Sequence, residues 1–331
     1  MKIGLHKVSI TAPARLHFGF LDLNGSRGRR FGSIGLALDE PTVSVTAERA
    51  SSFSVSGMQA ARARKFADLM RRRFGLPADL HLNVERAIPE HAGLGSGTQL
   101  GLAVGVALTS LYRLDLGIRE VAAIVERGQR SGIGVGAFES GGCLVDGGRG
   151  EDEGPPPVVS RVEFPGEWRI VLVFDRIARG LHGKDESAAF RRLPAFPEVE
   201  AGRLCRLVLM QALPALMEQD LNMFGKAIGE LQRVTGDYFA PAQGGRFSSP
   251  RVGRMLAWME GRGISGVGQS SWGPTGFAIC GSAEEAAALA LAATRDSGLA
   301  GDLELLICAG RNRGGLVEAK SSGEPVKVNS R

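Results

Sequence analysis

The chain has 331 residues, 44% of them hydrophobic and 23% charged, with a formal net charge of +5. That length allows two domains with a core each, and the balance excludes a disordered, collagen-like or disulfide-stapled chain. Cys143, Cys205, Cys280 and Cys308 stand in apolar contexts without CxxC or Cys/His spacing, which argues for reduced, buried thiols and against a zinc site.

Residues 3–12 alternate as a strand, and Ala12 to Asp22 extends it. Arg15 and His17 share one side of that segment, and Asp22 lies just beyond. A basic turn at 24–30 precedes strands at 31–38 and 43–47. Residues 60–74 have a helical pattern closed by Gly75 and Pro77, and Arg62 to Arg73 reads as its solvated face. A strand at 80–84 leads into Pro89-Glu90-His91-Ala92-Gly93-Leu94-Gly95-Ser96-Gly97-Thr98-Gln99, followed by an apolar helix over 100–111. A helix at 119–127, a glycine-rich stretch at 128–142 and a strand at 143–146 complete the first half. The glycine-, acid- and proline-rich segment 147–157 predicts a linker.

The second half opens with an apolar strand at 168–174 and a polar segment holding His182, Lys184 and Glu186. Helices are expected at 200–217, 219–234 and 255–262. A second glycine-rich loop covers 266–276, with a strand at 277–280. A helix capped by Ser282 and Glu285 runs to Arg295, and a strand occupies 303–309. The expected division is 1–155, 156–320 and a tail at 321–331.

The loop at 93–99 carries the strongest chemical signal. Its glycines permit φ > 0 and close approach of backbone N–H groups. The helix start adds unpaired donors and the positive end of the dipole, which together suit phosphate or diphosphate. A plain loop-to-helix turn, with Thr98 near the cap, is the alternative reading of the same glycines. The arginine-rich positive charge slightly favours a small anionic substrate, and a merely soluble surface is the leading alternative reading. No interleaved basic and aromatic patch points to nucleic acid. No apolar run is long enough to span a bilayer and no signal-peptide segment opens the sequence, so a cytoplasmic location without a membrane partner is expected.

Pro-x-x-x-Gly-Leu-Gly-Ser-Gly-Thr at 89–98, Pro13-x-Arg15-x-x-x-Gly19 and the late glycine loop resemble the three motifs of the small-molecule kinase superfamily of galactokinase, homoserine kinase and mevalonate kinase. The resemblance implies an α+β fold: an N-terminal domain like the second domain of a ribosomal small-subunit protein and a ferredoxin-like C-terminal domain. Two departures matter. Where those kinases read Ser-Gly-Val-Asp, this chain reads Ser131-Gly132-Ile133-Gly134, so Gly134 replaces the carboxylate. Ala123 stands where they carry a magnesium-holding glutamate, with Glu126 one turn on. Phosphoryl transfer depends on both groups.

Residues 13–22, Arg130 to Gly134 and Gly268 to Thr275 more specifically resemble β-ribofuranosylaminobenzene 5′-phosphate synthases. That resemblance implies condensation of phosphoribosyl diphosphate with 4-aminobenzoate or 4-hydroxybenzoate. Carbon dioxide and diphosphate are released, with Mg2+, in a homodimer on the route to tetrahydromethanopterin. It casts Gly93, Leu94, Gly95, Ser96, Gly97, Thr98 and Gln99 as the diphosphate cradle, with Ser96 and Thr98 as metal-facing hydroxyls. Arg15 and Arg130 become anion clamps. His17 and His91 are candidates for proton handling, Ser131 sits in the catalytic motif, and Asp22 is placed to orient His17 or Arg15. Gln269, Ser270, Ser271 and Thr275 offer neutral donors, and Trp272 either stacks on the acceptor ring or belongs to the core. An ATP-dependent kinase of the superfamily is the competing function, and a catalytically silent binding module is a third.

Overall fold

The computed structural model describes residues 5–151, 154–178, 180, 190–296, 298–321 and 325–327. Its spine is a pair of long antiparallel strands, β1 (Leu5–Asp22) and β2 (Phe31–Arg49). Val8, Ile10, Ala12, Ala14, Leu16 and Phe18 are all fully buried, the alternation of a strand with one face on the core. Register shifts between Pro13 and Arg15 and between His17 and Gly19 bend β1 within the motif. The polar break at 39–41, which divides the sequence pattern into two strands, is absorbed by the first of these shifts: Pro13 faces Thr42 while Arg15 faces Ala37.

The first sheet contains eight strands. β3 (Ser54–Gly57), which the sequence pattern does not show, runs parallel to β4 (Leu80–Arg86) through the crossover helix α1 (Ala60–Phe74). Gly75 ends α1 in the left-handed region, as expected of a terminal glycine. α2 (Ser96–Tyr112) packs on β1 and β2 and is buried along most of its length. After α3 (Ile118–Ile124), the glycine-rich stretch contains a helix, α4 (Ile133–Glu139). Packing overrides propensity there: a Cβ on Gly136 would lie 2.8 Å from Val158 and 3.0 Å from Leu144.

β5 (Cys143–Asp146) pairs with β2 and with β6 (Val158–Val162). The boundary expected at 155/156 therefore shifts, because β6 hydrogen-bonds into the first sheet. The chain also returns to that sheet at its end. β11 (Leu316–Ser321) pairs with β1 and β12 (Pro325–Lys327) with β11, so the residues described there are sheet and not the expected tail.

Between these lies the second domain: β7 (Arg169–Asp175), α5 (Glu198–Leu207), a π-helical turn at Val208–Ala212, α6 (Leu213–Met217), α7 (Leu221–Gln243), α8 (Pro250–Glu260), β8 (Val267–Gln269), β9 (Gly276–Cys280), α9 (Ala283–Asp296) and β10 (Leu303–Ala309). The antiparallel order β10-β7-β9-β8 is that of a ferredoxin-like unit. α7 starts where Asp220 accepts a bond from the Met223 N–H at 2.9 Å. It runs to Gln243, past the residue at which the sequence pattern ends it.

Candidate active site

The expected motifs meet at one carbonyl. Gly93 O accepts from Arg15 Nη1 and from Ser270 Oγ, the latter at 2.7 Å. Arg15 N donates to Leu94 O at 3.1 Å, and His17 N to Ser270 Oγ at 3.0 Å. β1, the first glycine loop and the second glycine loop are thus tied together. Gly93 and Gly95 adopt φ of 77° and 82°. A Cβ on Gly93 would fall 2.2 Å from Ser270 O, so close backbone approach requires glycine there.

Beside this junction opens a cavity of about 610 Å³, lined by Arg15, His17, Phe20, Thr98, Glu126, Arg127, Gly128, Gln129, Arg130, Ser131, Gly134, Arg191 and Ser271. α2 enters it with Gly95 as its N-cap, no side-chain cap bond and no acid in its first turn. Thr98 lies near the cap, in the first turn, but its side chain does not cap the helix. The helix end keeps its positive field, and its first N–H groups have no partner within the helix. Two guanidinium groups converge on the same turn: a Cβ on Gly97 would lie 2.8 Å from Arg62 Nη2 and 3.9 Å from Arg127 Cζ. Arg62 Nη1 is held by Gln59 Oε1 at 2.9 Å and Glu90 Oε1 at 3.3 Å. Burial, and secondly the like charge of Arg62, lower the Arg127 pKa. Arg127 Nε is buried without a hydrogen-bond partner. Such a pair of cations at an uncapped helix start suits a multiply charged anion.

His17 is 3% exposed. Burial, with Arg15 adding to it, lowers its pKa to about 3. The imidazole is neutral at physiological pH, which replaces the expected titration near neutrality. Arg130 lines the cavity with its guanidinium 5.3 Å from the Phe190 ring centroid. Ser131 Oγ bonds Ser33 Oγ at 2.7 Å and Asp146 Oδ2 at 3.1 Å. Asp146 also accepts from Gly132 N and Gly148 N, each at 2.9 Å, so this buried carboxylate fixes the entry to α4.

Several expected site residues have other work. Asp22 Oδ1 accepts from Asn24 N and Gly25 N at 2.9 Å and closes the turn after β1, and Asp22 does not line the cavity. Gln99 is buried and braces α2 to Gly134 O at 2.7 Å, and Leu94 is core. Gln269 Oε1 accepts from Ser248 N at 2.7 Å, and its own N–H donates to Gln232 Oε1 at 2.8 Å, which binds the second loop to α7. Thr275 is fully buried, its carbonyl accepting from Ser270 N at 3.0 Å. Trp272 is 4% exposed and packs on Phe239 at 4.5 Å and Phe190 at 5.4 Å, the core alternative. His91 has φ 58° and lies 3.7 Å from Glu90, away from the cavity lining. His182, Lys184 and Glu186 lie outside the described residues. Arg62, Arg127 and Arg191 are the cations that sequence reasoning did not single out. Among the described residues, no group of three or more His, Cys, Asp or Glu side chains is placed to hold a metal.

Two domains joined through a glycine-loop cradle define the class: residues 61–142 match the model of the GHMP kinases N terminal domain and residues 212–297 that of GHMP kinases C terminal. Homoserine kinase from Cytophaga hutchinsonii superposes with a TM-score of 0.69 at 16% identity, covering 94% of this chain and 97% of that one. Relatives at 33–36% identity carry another name. Beta-ribofuranosylphenol 5′-phosphate synthase of Methanothermobacter thermautotrophicus is 33% identical, with 92% of this chain and 97% of the relative covered. The protein of the same name from Archaeoglobus fulgidus is 36% identical, with 82% and 87% covered. The chain belongs to the β-ribofuranosylphenol 5′-phosphate synthase family. No helix among the described residues is long and apolar enough to cross a membrane.

Proposed function

We propose that the chain joins phosphoribosyl diphosphate to a para-substituted benzoate, releasing carbon dioxide and diphosphate. The observation that carries the reading is one cavity faced by Arg15, Arg127, Arg130 and Arg191, with Gly134 at the position of the kinase carboxylate. Both substrates are anionic, and so are the leaving diphosphate and the transferred 5′-phosphate. The chemistry balances without a net proton. The ring carbon bearing the carboxylate bonds to ribosyl C1, and the C1–O bond breaks with its electron pair going to diphosphate. The carboxylate then departs as carbon dioxide, returning its bonding pair to the ring. The residues' task is electrostatic: to hold the anions in place and stabilise charge as it moves.

The first turn of α2, with Arg62 and Arg127, suits the diphosphate, and Arg15, Arg130 and Arg191 suit the 5′-phosphate and the benzoate carboxylate. Thr98 and Glu126, which line the cavity, would be the residues to hold a Mg2+ brought in with the substrate phosphates. Such an ion would supply neutralisation of charge on the leaving diphosphate. Ser96, at the start of α2, offers a further hydroxyl. The pathway toward tetrahydromethanopterin, the cytoplasmic setting and the homodimer belong to the same reading, the last checked by light scattering.

The test is incubation with phosphoribosyl diphosphate, Mg2+ and carboxyl-labelled or ring-labelled acceptor. Labelled carbon dioxide and a ring-labelled C-riboside are expected. ADP from ATP and a small alcohol, with neither product, would instead establish the kinase. Binding of phosphoribosyl diphosphate without turnover would point to a silent binding module.

A further inference from the structure

Phe190 does not line the large cavity, but the residue after it does, and so does the cation that lies over its ring. Four other rings hold it. Phe20 and Phe31, on β1 and β2 of the first sheet, stand with centroids 6.1 and 5.8 Å away. Phe239 of α7 and Trp272 of the second glycine loop stand at 5.6 and 5.4 Å. All four contacts are near-perpendicular, with interplanar angles of 74°, 80°, 89° and 89°. Edge-to-face contacts with so many neighbours fix the plane of the ring. Phe31 is a second sign that the cluster is built for a purpose. Its φ of 81° is an outlier for so bulky a residue, and such conformations persist only where the surroundings hold them. The Arg130 guanidinium carbon lies 5.3 Å from the Phe190 centroid. A cation is drawn to the face of an aromatic ring and not to its edge, so a ring of fixed plane gives the guanidinium a fixed seat.

We propose that Phe190 is a positioning residue: from behind the cavity wall it seats the Arg130 guanidinium for anion binding, and through the chain it sets Arg191 in the same wall. The proposal rests on the anion-clamp role given to Arg130 above and adds the group that readies that clamp before a ligand arrives. An arginine side chain has many rotamers, and ordering them at the moment of binding weakens affinity. A guanidinium already seated on a ring has given up part of that freedom. Phe190 belongs to the second domain and Arg130 to the segment before α4 in the first, so the seat also makes the clamp depend on the two domains being together. The phenyl ring carries neither charge nor hydrogen-bonding group, and the cavity is not lined by it, so its effect on an anion passes through Arg130. Leucine would fill much of the same space without offering a π face.

The test has two measurements on the full chain. In the first, arginine is labelled with nitrogen-15 and the Arg130 Nε–H resonance is assigned by its loss in Arg130→Lys. The Phe190 ring current should displace that resonance; Phe190→Leu should move it toward the position of a solvated arginine, and Phe190→Tyr should leave it displaced. A resonance unmoved in Phe190→Leu overturns the inference. The second is calorimetric titration with phosphoribosyl diphosphate and, in the chain saturated with inorganic diphosphate, with 4-hydroxybenzoate. The ligand that Arg130→Met weakens is the one compared further, and no loss with either ligand overturns the inference. Phe190→Leu is expected to weaken that ligand about fivefold and Phe190→Tyr by less than about twofold, the scale of a partly exposed cation–π contact. In the Arg130→Met background, Phe190→Leu should change the affinity by less than about twofold, because no cation is left to seat. Equal losses in both backgrounds would make the ring merely structural and overturn the inference. Inorganic diphosphate, assigned to Arg62 and Arg127, should bind Phe190→Leu as it binds the native chain. A native chain that binds neither ligand would count against the proposed reaction, while the Arg130 resonance still decides the seat.

Discussion

Thr98 occupies the space that a side chain on Gly134 would need: a Cβ built there falls 3.0 Å from Thr98 Cγ2 and 3.4 Å from its Cβ. Gln99 Nε2, donating to Gly134 O at 2.7 Å, draws α2 and α4 together at this point. A side chain at Gly134 would require Thr98 to shift. Gly134→Asp should push Thr98 aside and disturb the cradle, lowering C-riboside formation at least about tenfold, the size of effect a small misplacement can have. No ATP-dependent phosphotransfer should appear. A coupled ADP assay on the variant decides the matter, since newly gained kinase turnover would show that only the carboxylate was wanting.

Gly95 is tested separately because its constraint is of another kind. Its φ of 82° costs an ordinary residue about 1–2 kcal/mol, and a β-branched one more. A Cβ there would also stand 3.1 Å from Arg15 Cγ. Gly95→Val is expected to abolish phosphoribosyl diphosphate binding in a calorimeter while the second domain stays folded. Unchanged affinity would remove the loop from the site.

Arg127 and Arg62 repel each other across Gly97, and burial adds to the cost of the Arg127 charge. An anion between them relieves that cost, so inorganic diphosphate should raise the melting temperature of the native chain. Arg127→Met should melt no lower than the native chain without ligand, since a like-charge contact is lost. It should respond little to diphosphate. Arg127→Lys, which keeps a charge but not the planar fork, should fall between the two. Equal diphosphate shifts in all three proteins would place the anion elsewhere.

What could be read from the sequence tracks the range of the signal. The glycine loop and the Arg15–His17 segment are local patterns with a direct chemical meaning, and the structure brings them together at Gly93 O. α1 shows its true length because its buried stripe, Ala63, Phe66, Ala67 and Met70, is periodic. The same periodicity concealed Arg62, since amphipathic reasoning assigns every arginine on that helix to solvent. α4 was hidden by Gly134 and Gly136, whose low helix propensity is outweighed by contacts with Thr98, Leu144 and Val158. β11 was hidden because its partner is β1, about three hundred residues earlier, and no local pattern records such a pairing. Trp272 reads equally as ligand contact or core, and only its neighbours Phe190 and Phe239 decide.

His17 links the site to acid stability. Its pKa is about 3 in the folded chain against 6.5 for the unperturbed group. Between those values the unfolded chain binds a proton that the folded chain does not, so stability falls as pH falls. The contribution is fully present above pH 6.5 and is lost progressively below it. At pH 5 the loss amounts to about 2 kcal/mol, an order-of-magnitude figure for one buried imidazole. His17→Gln keeps a polar side chain of similar reach but has no proton to bind. Burial pushes the Asp146 carboxyl upward, the opposite sense, but that group is common to both proteins and cancels in the comparison. The native chain should therefore lose more of its melting temperature between pH 7 and pH 5 than His17→Gln does. Parallel curves for the two proteins would mean that His17 is protonated in the folded state.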